Sequence, residues 1–241
     1  PSMKVTRTGY ILIGTLVALY AMLSILYVLT QLAHDSGLVR FFGSFGITSL
    51  FIASIMSAFL RQVYKALGVA FLKLHHLFAI AGLVLVTLHP VSLAFMRGIQ
   101  VFVPDFSSWY SFWSLAGRPA LYVIYGAVTA VLLKRLLKKS WRIFHALLYV
   151  ALLFGVVHGV LLGQSFANPV IDGTYIVLLA ILGASFIYKN GRKIANRLRL
   201  APSRATKAGG TAGGNTTRGT TGSSKASSTG GGSETGENST P

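Results

Sequence analysis

The sequence predicts an all-α membrane protein, a bundle of six transmembrane helices with the N- and C-termini in the cytoplasm. Three observations support this fold class. Hydrophobic residues make up 53% of the 241 residues and charged residues only 11%, a balance too apolar for a soluble domain. The apolar residues fall into six runs. The basic residues between those runs lie almost entirely on one side of the predicted bundle.

The six apolar runs cover residues 10–32, 42–60, 75–96, 115–133, 143–162 and 174–188. A helix needs about 20 residues to cross the hydrocarbon core of a bilayer. Five runs fit that length, and the sixth fits if its helix continues toward Ile194. Backbone groups in lipid must hydrogen-bond within the chain, which favours helices over strands. The first run is too long for the apolar part of a signal peptide and lacks a small-residue cleavage site, so we expect it to be retained.

The basic residues orient the bundle. With the N-terminus in the cytoplasm, all but three of the 22 lysines and arginines lie on the cytoplasmic side, as the positive-inside rule requires. The three on the outer side are Arg40, Arg97 and Arg118. The formal charge of +17 therefore reflects topology, and no nucleic-acid partner is expected. The expected surrounding is the lipid bilayer of an inner or plasma membrane, crossed several times by the chain.

Residues 201–241 differ in composition from the rest. They are rich in Gly, Ser and Thr and almost free of apolar side chains. We therefore expect them to form a disordered cytoplasmic tail after a transmembrane domain of residues 1–200. Their glycines form no dinucleotide-binding pattern, so no flavin or nicotinamide domain is expected in this chain. The absence of cysteine excludes disulfides, cysteine-ligated iron–sulfur clusters and cysteine nucleophiles.

Histidines are the ionisable residues that stand out within the apolar runs. The third run holds His75, His76 and His89, and the fifth holds His145 and His158. Ionisable side chains inside a bilayer are costly and are usually functional. The sixth histidine, His34, lies in or beside the first outer loop and is expected to be solvated.

The four spaced histidines fall at two depths. Both helices are predicted to run from the inner to the outer side. The 14 residues from His75 to His89, and the 13 from His145 to His158, each correspond to about 20 Å along a helix. We therefore predict an inner pair, His75 with His145, and an outer pair, His89 with His158.

Helical phase fits the third run better than the fifth. His75 and His89 lie within about 40° of one face, but in a straight helix His145 and His158 point about 140° apart. His145 and His158 can reach one face through supercoiling, through a bulge near Gly155 or Gly159 in the fifth run, or through different approach angles.

The ligand chemistry of these pairs favours haem. Imidazole suits zinc, copper, iron and nickel, but a bare ion deep in lipid would leave its charge uncompensated. Haem spreads that charge over an apolar ring, and two axial histidines favour electron transfer. Small residues would leave room for the ring, namely Ala79, Gly82, Ala146, Gly155 and Gly159. The alternative is a haem-free transporter or sensor with structural or proton-relay histidines. A proton relay would normally recruit carboxylates, and the six apolar runs contain none.

Two groups of basic residues have more than one interpretation. Arg40, Arg97 and Arg118 either snorkel to the interface or contact haem propionates or an anionic electron acceptor. Arg40 and Arg118 are the candidates for such contacts. The basic stripe at residues 134–142 is explained by topology and can also dock an acidic electron donor.

These residues resemble the ferric reductase-like transmembrane domain superfamily. That superfamily includes ferric reductases, the membrane half of NADPH oxidases and the haem-binding membrane subunit of the bacterial methionine sulfoxide reductase system. The resemblance covers roughly residues 10–195. It rests on the six runs, on His-x13-His in the third and His-x12-His in the fifth, and on the W-R-x-x-H-x-x-x-Y entry of the fifth run (Trp141, Arg142, His145 and Tyr149).

The resemblance implies two b-type haems. His75 and His145 would bind the inner haem iron, and His89 and His158 the outer one. His76 is the alternative to His75, since it lies 13 residues before His89, the same spacing as from His145 to His158.

The resemblance also implies transmembrane electron transfer, as the membrane component of an oxidoreductase. The donor would be a separate cytoplasmic flavoprotein, another electron donor or a reduced quinone. The outer-face acceptor would be ferric iron, a quinone or a redox protein. Leu93 stands where the oxidases carry a further histidine, so dedicated superoxide production is not expected.

Overall fold

The described part of the chain is almost entirely helical. The structure is a computed structural model that describes residues 5–30, 36–68, 71–162 and 168–209. These residues form ten α-helices and one 3-10 turn (Ile99–Phe102), with no strand among them. The helices are α1 (Arg7–Thr30), α2 (Gly37–Ala58), α3 (Leu60–Leu67), α4 (Phe71–Arg97), α5 (Trp109–Ser114), α6 (Gly117–Leu132), α7 (Lys134–Leu137), α8 (Trp141–Ala146), α9 (Leu148–Leu162) and α10 (Pro169–Gly209).

Five helical stretches are long and apolar enough to cross a membrane, which confirms the prediction of an all-helical membrane protein. They are Arg7–Thr30, Gly37–Ala58, Leu72–Arg97, Trp141–Leu162 and Pro169–Gly191. Helix α6 corresponds to the fourth predicted run but has only 16 residues. That is about 24 Å of helix, short of the usual span of about 30 Å. The predicted number of six crossings therefore depends on α6.

Helix α2 is central to the packing. Half of its apolar stretch is buried, against 6% for α1 and for α4. Glycines bring α2 and α4 close together: a Cβ added to Gly46 would lie 2.7 Å from the backbone nitrogen of Val86, and one added to Gly82 would lie 2.8 Å from Leu50. Small residues permit this approach in membranes, where van der Waals contact holds helices together. The packing sets the histidines of α4 beside α2.

The largest buried cluster joins α2, α6, α9 and α10. Phe51 and Tyr175 lie in it and are fully buried. The Tyr175 hydroxyl donates to the Ser44 carbonyl at 2.8 Å, which satisfies a polar group that has no access to water. A smaller cluster around Met56 joins α2 to α3. The first cluster packs α2 against α6, α9 and α10, and the second packs it against α3.

Helix α3 is an element that the sequence analysis does not predict. It buries Val63, Ala66 and Leu67 in the cluster around Met56 and exposes Arg61 and Lys65, the pattern of an amphipathic helix. It ends at a glycine in the left-handed conformation (φ 64°), the usual way to close a helix. Eight residues are too few to stand out in a search for apolar runs.

Helix α10 is longer than the sixth predicted run. It begins at Pro169, where the Asn168 side chain accepts a hydrogen bond from the Val170 amide, and it continues to Gly209. The chain divides into two units, Pro1–Ile194 and Ala195–Pro241. The described part of the second unit is helical backbone, so residues 201–209 of the predicted tail belong to α10. The rest of that tail, 210–241, lies outside the described residues.

Candidate cofactor site

The fold brings the outer pair together. The ring centroids of His89 on α4 and His158 on α9 lie 6.5 Å apart, and the ring planes meet at 82°. Two imidazoles that bind one metal ion from opposite sides, with bonds of about 2.0–2.1 Å each, place their centroids about 6 Å apart. The observed separation therefore fits two axial ligands of one iron.

Backbone carbonyls select the tautomer of both outer rings. His89 Nδ1 donates to the Val39 carbonyl at 2.8 Å, and His158 Nδ1 donates to the Ser114 carbonyl at 2.6 Å. A carbonyl oxygen only accepts, so each Nδ1 carries the proton and each Nε2 keeps its lone pair. Metal-binding histidines are usually fixed in this way, because the second nitrogen donates to a neighbouring oxygen.

Two glycines make space for the outer rings. A Cβ added to Gly43 on α2 would lie 2.9 Å from His89 Nδ1. A Cβ added to Gly117 on α6 would lie 2.8 Å from His158 Cδ2. Real Cβ atoms do not approach this closely, so any larger residue at either position would push a histidine ring. The glycines therefore cradle the pair.

A cavity of about 320 Å³ adjoins the outer pair and is lined by both histidines. This volume is at the lower end of the range of small-molecule sites, about 300–1,000 Å³. The wall is mainly apolar and includes Gly155 and Gly159. Gly155 and Gly82 both serve contacts with α2, since a Cβ at Gly155 would lie 2.6 Å from Ile47 and one at Gly82 would lie 2.8 Å from Leu50. That these small residues leave room for a ring stays a prediction. Three arginines also line the cavity, namely Arg40, Arg97 and Arg118.

The inner pair is arranged less tightly. His75 Nδ1 donates to the Ala53 carbonyl at 3.0 Å. His145 Nδ1 is buried and has no hydrogen-bond partner among the described residues. The two imidazoles lie close enough to interact electrostatically. His145 also contacts the Trp141 ring, with centroids 6.1 Å apart. Among the described residues, His145 therefore lacks the carbonyl acceptor that fixes the tautomer of the other three rings.

The two remaining histidines differ in position from these four. His76 is exposed, whereas its neighbour His75 is half-buried and hydrogen-bonded to α2. Their ring centroids are 5.8 Å apart. His34, predicted to be solvated, lies outside the described residues.

A helix interruption changes the phase between the histidines of the fifth run. The predicted single helix is two helices, α8 and α9, separated at Leu147. The Leu147 amide donates to the Phe144 carbonyl three residues back, a 3-10 turn. Such a turn advances by about 120° per residue rather than 100°, which recovers part of the mismatch between His145 and His158. The irregularity lies at Leu147, and Gly155 and Gly159 both lie inside continuous α9.

The loop between α4 and α6 carries the carbonyl that holds His158. In this loop Asp105 accepts hydrogen bonds from the Ser107 amide (2.9 Å) and from the Ser111 hydroxyl. The Ser111 bond and the Ser107 bond lower the pKa of Asp105 to about 2. The carboxylate thus fastens the first turn of α5, the helix that ends at Ser114.

We expect Asp105→Ala to loosen α5. The lowered pKa means that the carboxylate stabilises the loop above about pH 4, the ordinary pKa of Asp, and that this contribution is lost as the pH falls through about 2. Tryptophan fluorescence in a Trp141→Phe background reports only Trp109 and Trp113, whose rings are in contact at 5.6 Å. The parent should change its emission between pH 4 and 2, and Asp105→Ala should show the changed emission at pH 7.

Val103→Ala is the matched control, because it shortens an exposed side chain of the same loop and keeps the backbone carbonyl that accepts from Arg118. It should behave like the parent. Identical emission of parent and Asp105→Ala at pH 7 would show that the carboxylate does not hold the loop.

Comparisons with known proteins leave the family of the chain open. No family model matches the sequence, and no curated protein or solved structure is similar to it at a significant level. Within the described residues, no three His, Cys, Asp or Glu side chains gather to hold a metal ion.

Several residues of the site escape sequence reasoning. The carbonyls of Val39, Ala53 and Ser114 carry no signal in the sequence, because every residue has a carbonyl. Gly43 and Gly117 carry a weak one, since they are glycines in or at the end of apolar runs. Only the packing identifies which glycines face a histidine.

Proposed function

We propose that this protein transfers electrons across a membrane through two b-type haems, each bound by two histidines. The observation that carries the proposal is the geometry of the outer pair. His89 and His158 come from different helices, their ring centroids lie 6.5 Å apart, and both rings keep Nε2 unprotonated. Haem supplies the reversible one-electron chemistry of iron, and the four planar donors of its ring complete a site to which the protein gives only two ligands.

Different residues of the chain have different roles in this proposal. His89 and His158 hold the outer cofactor, and His75 and His145 hold the inner one. The apolar cavity wall excludes water, and Gly43 and Gly117 fix the planes of the His89 and His158 imidazoles. Carbonyl acceptors behind His75, His89 and His158 keep the proton on Nδ1 and raise the basicity of the coordinating nitrogen.

The topology in this proposal is a six-helix bundle with both termini in the cytoplasm. Helix α6 is the sixth crossing, and α5 comes directly before it in the chain. The inner pair then faces a cytoplasmic donor, which is a separate flavoprotein, another donor protein or a quinone. The outer pair faces an acceptor on the other side. Exposed Lys134, Arg135, Lys138, Lys139 and Arg142 lie on the donor side.

A second candidate is a haem-free transporter or sensor with proton-relay histidines. It is favoured by Asp172, whose Oδ1 is buried without a hydrogen-bond partner among the described residues and which lies in the apolar stretch Pro169–Gly191. Carboxylates inside membrane helices commonly carry protons. Asp172 does not line the cavity beside the outer pair, however, so it forms no described path with those histidines.

Sealed vesicles test the proposed activity. Purified protein is supplied with haem and reconstituted into liposomes that contain ferricyanide, and dithionite is added outside. Trapped ferricyanide should be reduced far faster than in protein-free liposomes. The reason is that electrons can cross the bilayer only along a continuous redox path in the protein. Vesicles with His89→Ala should match the protein-free rate. Equal rates with and without the parent protein would contradict the electron-transfer proposal and leave the relay candidate.

The choice between His75 and His76 yields a direct prediction. His75→Ala should remove the inner haem, because the half-buried His75 ring is held by the Ala53 carbonyl and lies near His145. His76→Ala should retain both haems, because that side chain is exposed. Haem content and the reduced absorption spectrum of the two variants measure the outcome. Loss of haem from His76→Ala alone would move the ligand by one residue.

A further inference from the structure

The loop between α4 and α6 carries an exposed apolar face. Its residues, 98–116, are rich in aromatic side chains and include no lysine or arginine. Trp109 is 78% exposed and Phe106 is 74% exposed. Ile99, Val103 and Tyr110 are exposed as well, and we call this set of residues the exposed loop face. Apolar surface of this kind on a folded protein marks a contact with another protein or with a membrane.

The opposite side of the loop is fixed to the bundle. Trp113 and Phe112 contact Phe154 of α9, with ring centroids 5.3 Å and 6.2 Å apart respectively. The carbonyl of Ser114, the last residue of α5, accepts the 2.6 Å hydrogen bond from His158. Because this side is held in place, the exposed loop face keeps a fixed direction, and its exposure follows from the packing of the loop.

The end of α4 places the loop at the boundary between lipid and water. Arg97 is the last residue of α4, whose stretch Leu72–Arg97 is long and apolar enough to cross a membrane. Arginines at the ends of membrane helices extend their charged groups to this boundary. Phe95 and Met96, the two residues before Arg97, are also exposed. The exposed loop face therefore continues the apolar surface of α4 along the chain.

Charge and residue type favour lipid as the partner of this face. The only charged residue of the loop is Asp105, whose carboxylate accepts hydrogen bonds from the Ser107 amide and the Ser111 hydroxyl within the loop. Docking of a charged protein relies on complementary charges, and the exposed loop face has none. Tryptophan and tyrosine, by contrast, are enriched where membrane proteins meet the lipid headgroups, because each has an apolar body and a polar tip.

We propose that the exposed loop face is a membrane anchor, with Phe106 and Trp109 inserted among the lipid headgroups and the upper parts of the acyl chains. The bilayer then holds the loop from one side, and α9 holds it from the other. Since α5 ends at the carbonyl that binds His158, contact with lipid also steadies that ring. The anchor consists of the loop alone and does not depend on a bound haem.

Emission from Trp109 tests its depth directly. Trp113→Phe together with Trp141→Phe leaves Trp109 as the only tryptophan of the chain. The purified protein is reconstituted into phosphatidylcholine vesicles that are plain, brominated near the headgroup or brominated near the end of the acyl chains. Bromine near the headgroup should lower the emission about twofold, since interfacial rings lie at that depth, and bromine near the chain end should lower it less. Acrylamide in the water should quench it weakly. Each comparison uses the same haem content, so quenching by haem cancels.

Trp113 is the matched control, because it belongs to the same helix but packs against Phe154. Trp109→Phe together with Trp141→Phe leaves it as the only tryptophan, and bromine at either depth should quench it less than it quenches Trp109. The chain has no cysteine, so Phe106→Cys accepts a single nitroxide label. That label should collide more often with oxygen, which concentrates in lipid, than with a nickel complex dissolved in the water.

Three outcomes contradict the anchor. Strong quenching of Trp109 by acrylamide, without an effect of brominated lipid, would place the exposed loop face in water, where it is free to meet an electron acceptor. Protection from both quenchers would show that protein covers it, such as a second copy of the chain. Equal quenching of Trp109 and Trp113 by brominated lipid would mean that the two sides of the loop do not differ in their contact with lipid.

Discussion

His158→Ala is expected to lower the haem content from two haems per chain to one. The variant removes the His158 ring, whose centroid lies 6.5 Å from that of His89, and with it the Nδ1 bond to the Ser114 carbonyl. A single remaining histidine cannot hold a haem iron with the same strength, since half of its axial coordination is lost. His89→Ala should have the same effect, and the double variant should lose no more than either one. The haem-to-protein ratio and the reduced spectrum measure this result.

This non-additivity is the informative part of the experiment. Two ligands of one iron act as a unit, so removing both should cost no more haem than removing either one. His76→Ala is the control, because it alters an exposed histidine of the same helix. If His89→Ala and His158→Ala each removed a different haem, so that the double variant held none, the outer pair would not share one iron.

Gly117→Ala is expected to displace the His158 ring and to weaken retention of the outer haem by about 10–100-fold, the usual effect of disturbing the surroundings of a metal ligand. The new Cβ would lie 2.8 Å from His158 Cδ2 and 2.9 Å from Nε2. The ring cannot move away without losing its 2.6 Å bond to Ser114. Overpacking of this kind costs about 1–3 kcal/mol. Haem dissociation into excess apomyoglobin measures the retention of each haem.

Gly126→Ala provides the control for this experiment in the same helix. A Cβ at Gly126 meets nothing within 4 Å. Because alanine is also the better helix former, by roughly 0.5–1 kcal/mol, this variant should be neutral or stabilising and keep both haems. Equal haem loss from the two variants would mean that any change in α6 weakens binding. Unchanged haem loss from Gly117→Ala would contradict the cradle around His158.

The helices of the bundle were predictable because lipid imposes one simple rule on the chain. Backbone groups must pair internally, so each long apolar run becomes a helix, and five of the six runs contain or form a stretch able to cross a membrane. Short elements obey no such rule. Helix α3 and helix α5 depend on side chains such as Val63 and Ser108, whose burial and capping roles come from packing. The extension of α10 beyond residue 200 runs against composition and could not be read from it.

The candidate ligands were predictable for a different reason. Histidine is costly in lipid, so His75, His89, His145 and His158 are conspicuous without any knowledge of packing. Their supporting groups are not conspicuous. Whether Gly117 or Gly126 faces a histidine is decided by the rotation of α6, which no local pattern encodes. The turn at Leu147 is a similar case, since the residues around it are ordinary helix formers and the interruption appears only in the folded chain.

The most direct test of the central claim is the number of haems bound by one chain. Protein is expressed with an adequate haem supply and purified in detergent. Its haem is then quantified as the pyridine haemochrome, and the dithionite-reduced spectrum is recorded. The account predicts b-type bands and two haems per chain, falling to one in His89→Ala. A reduced spectrum without b-type bands, or a ratio near zero in fully loaded, folded protein, would contradict electron transfer through paired histidines.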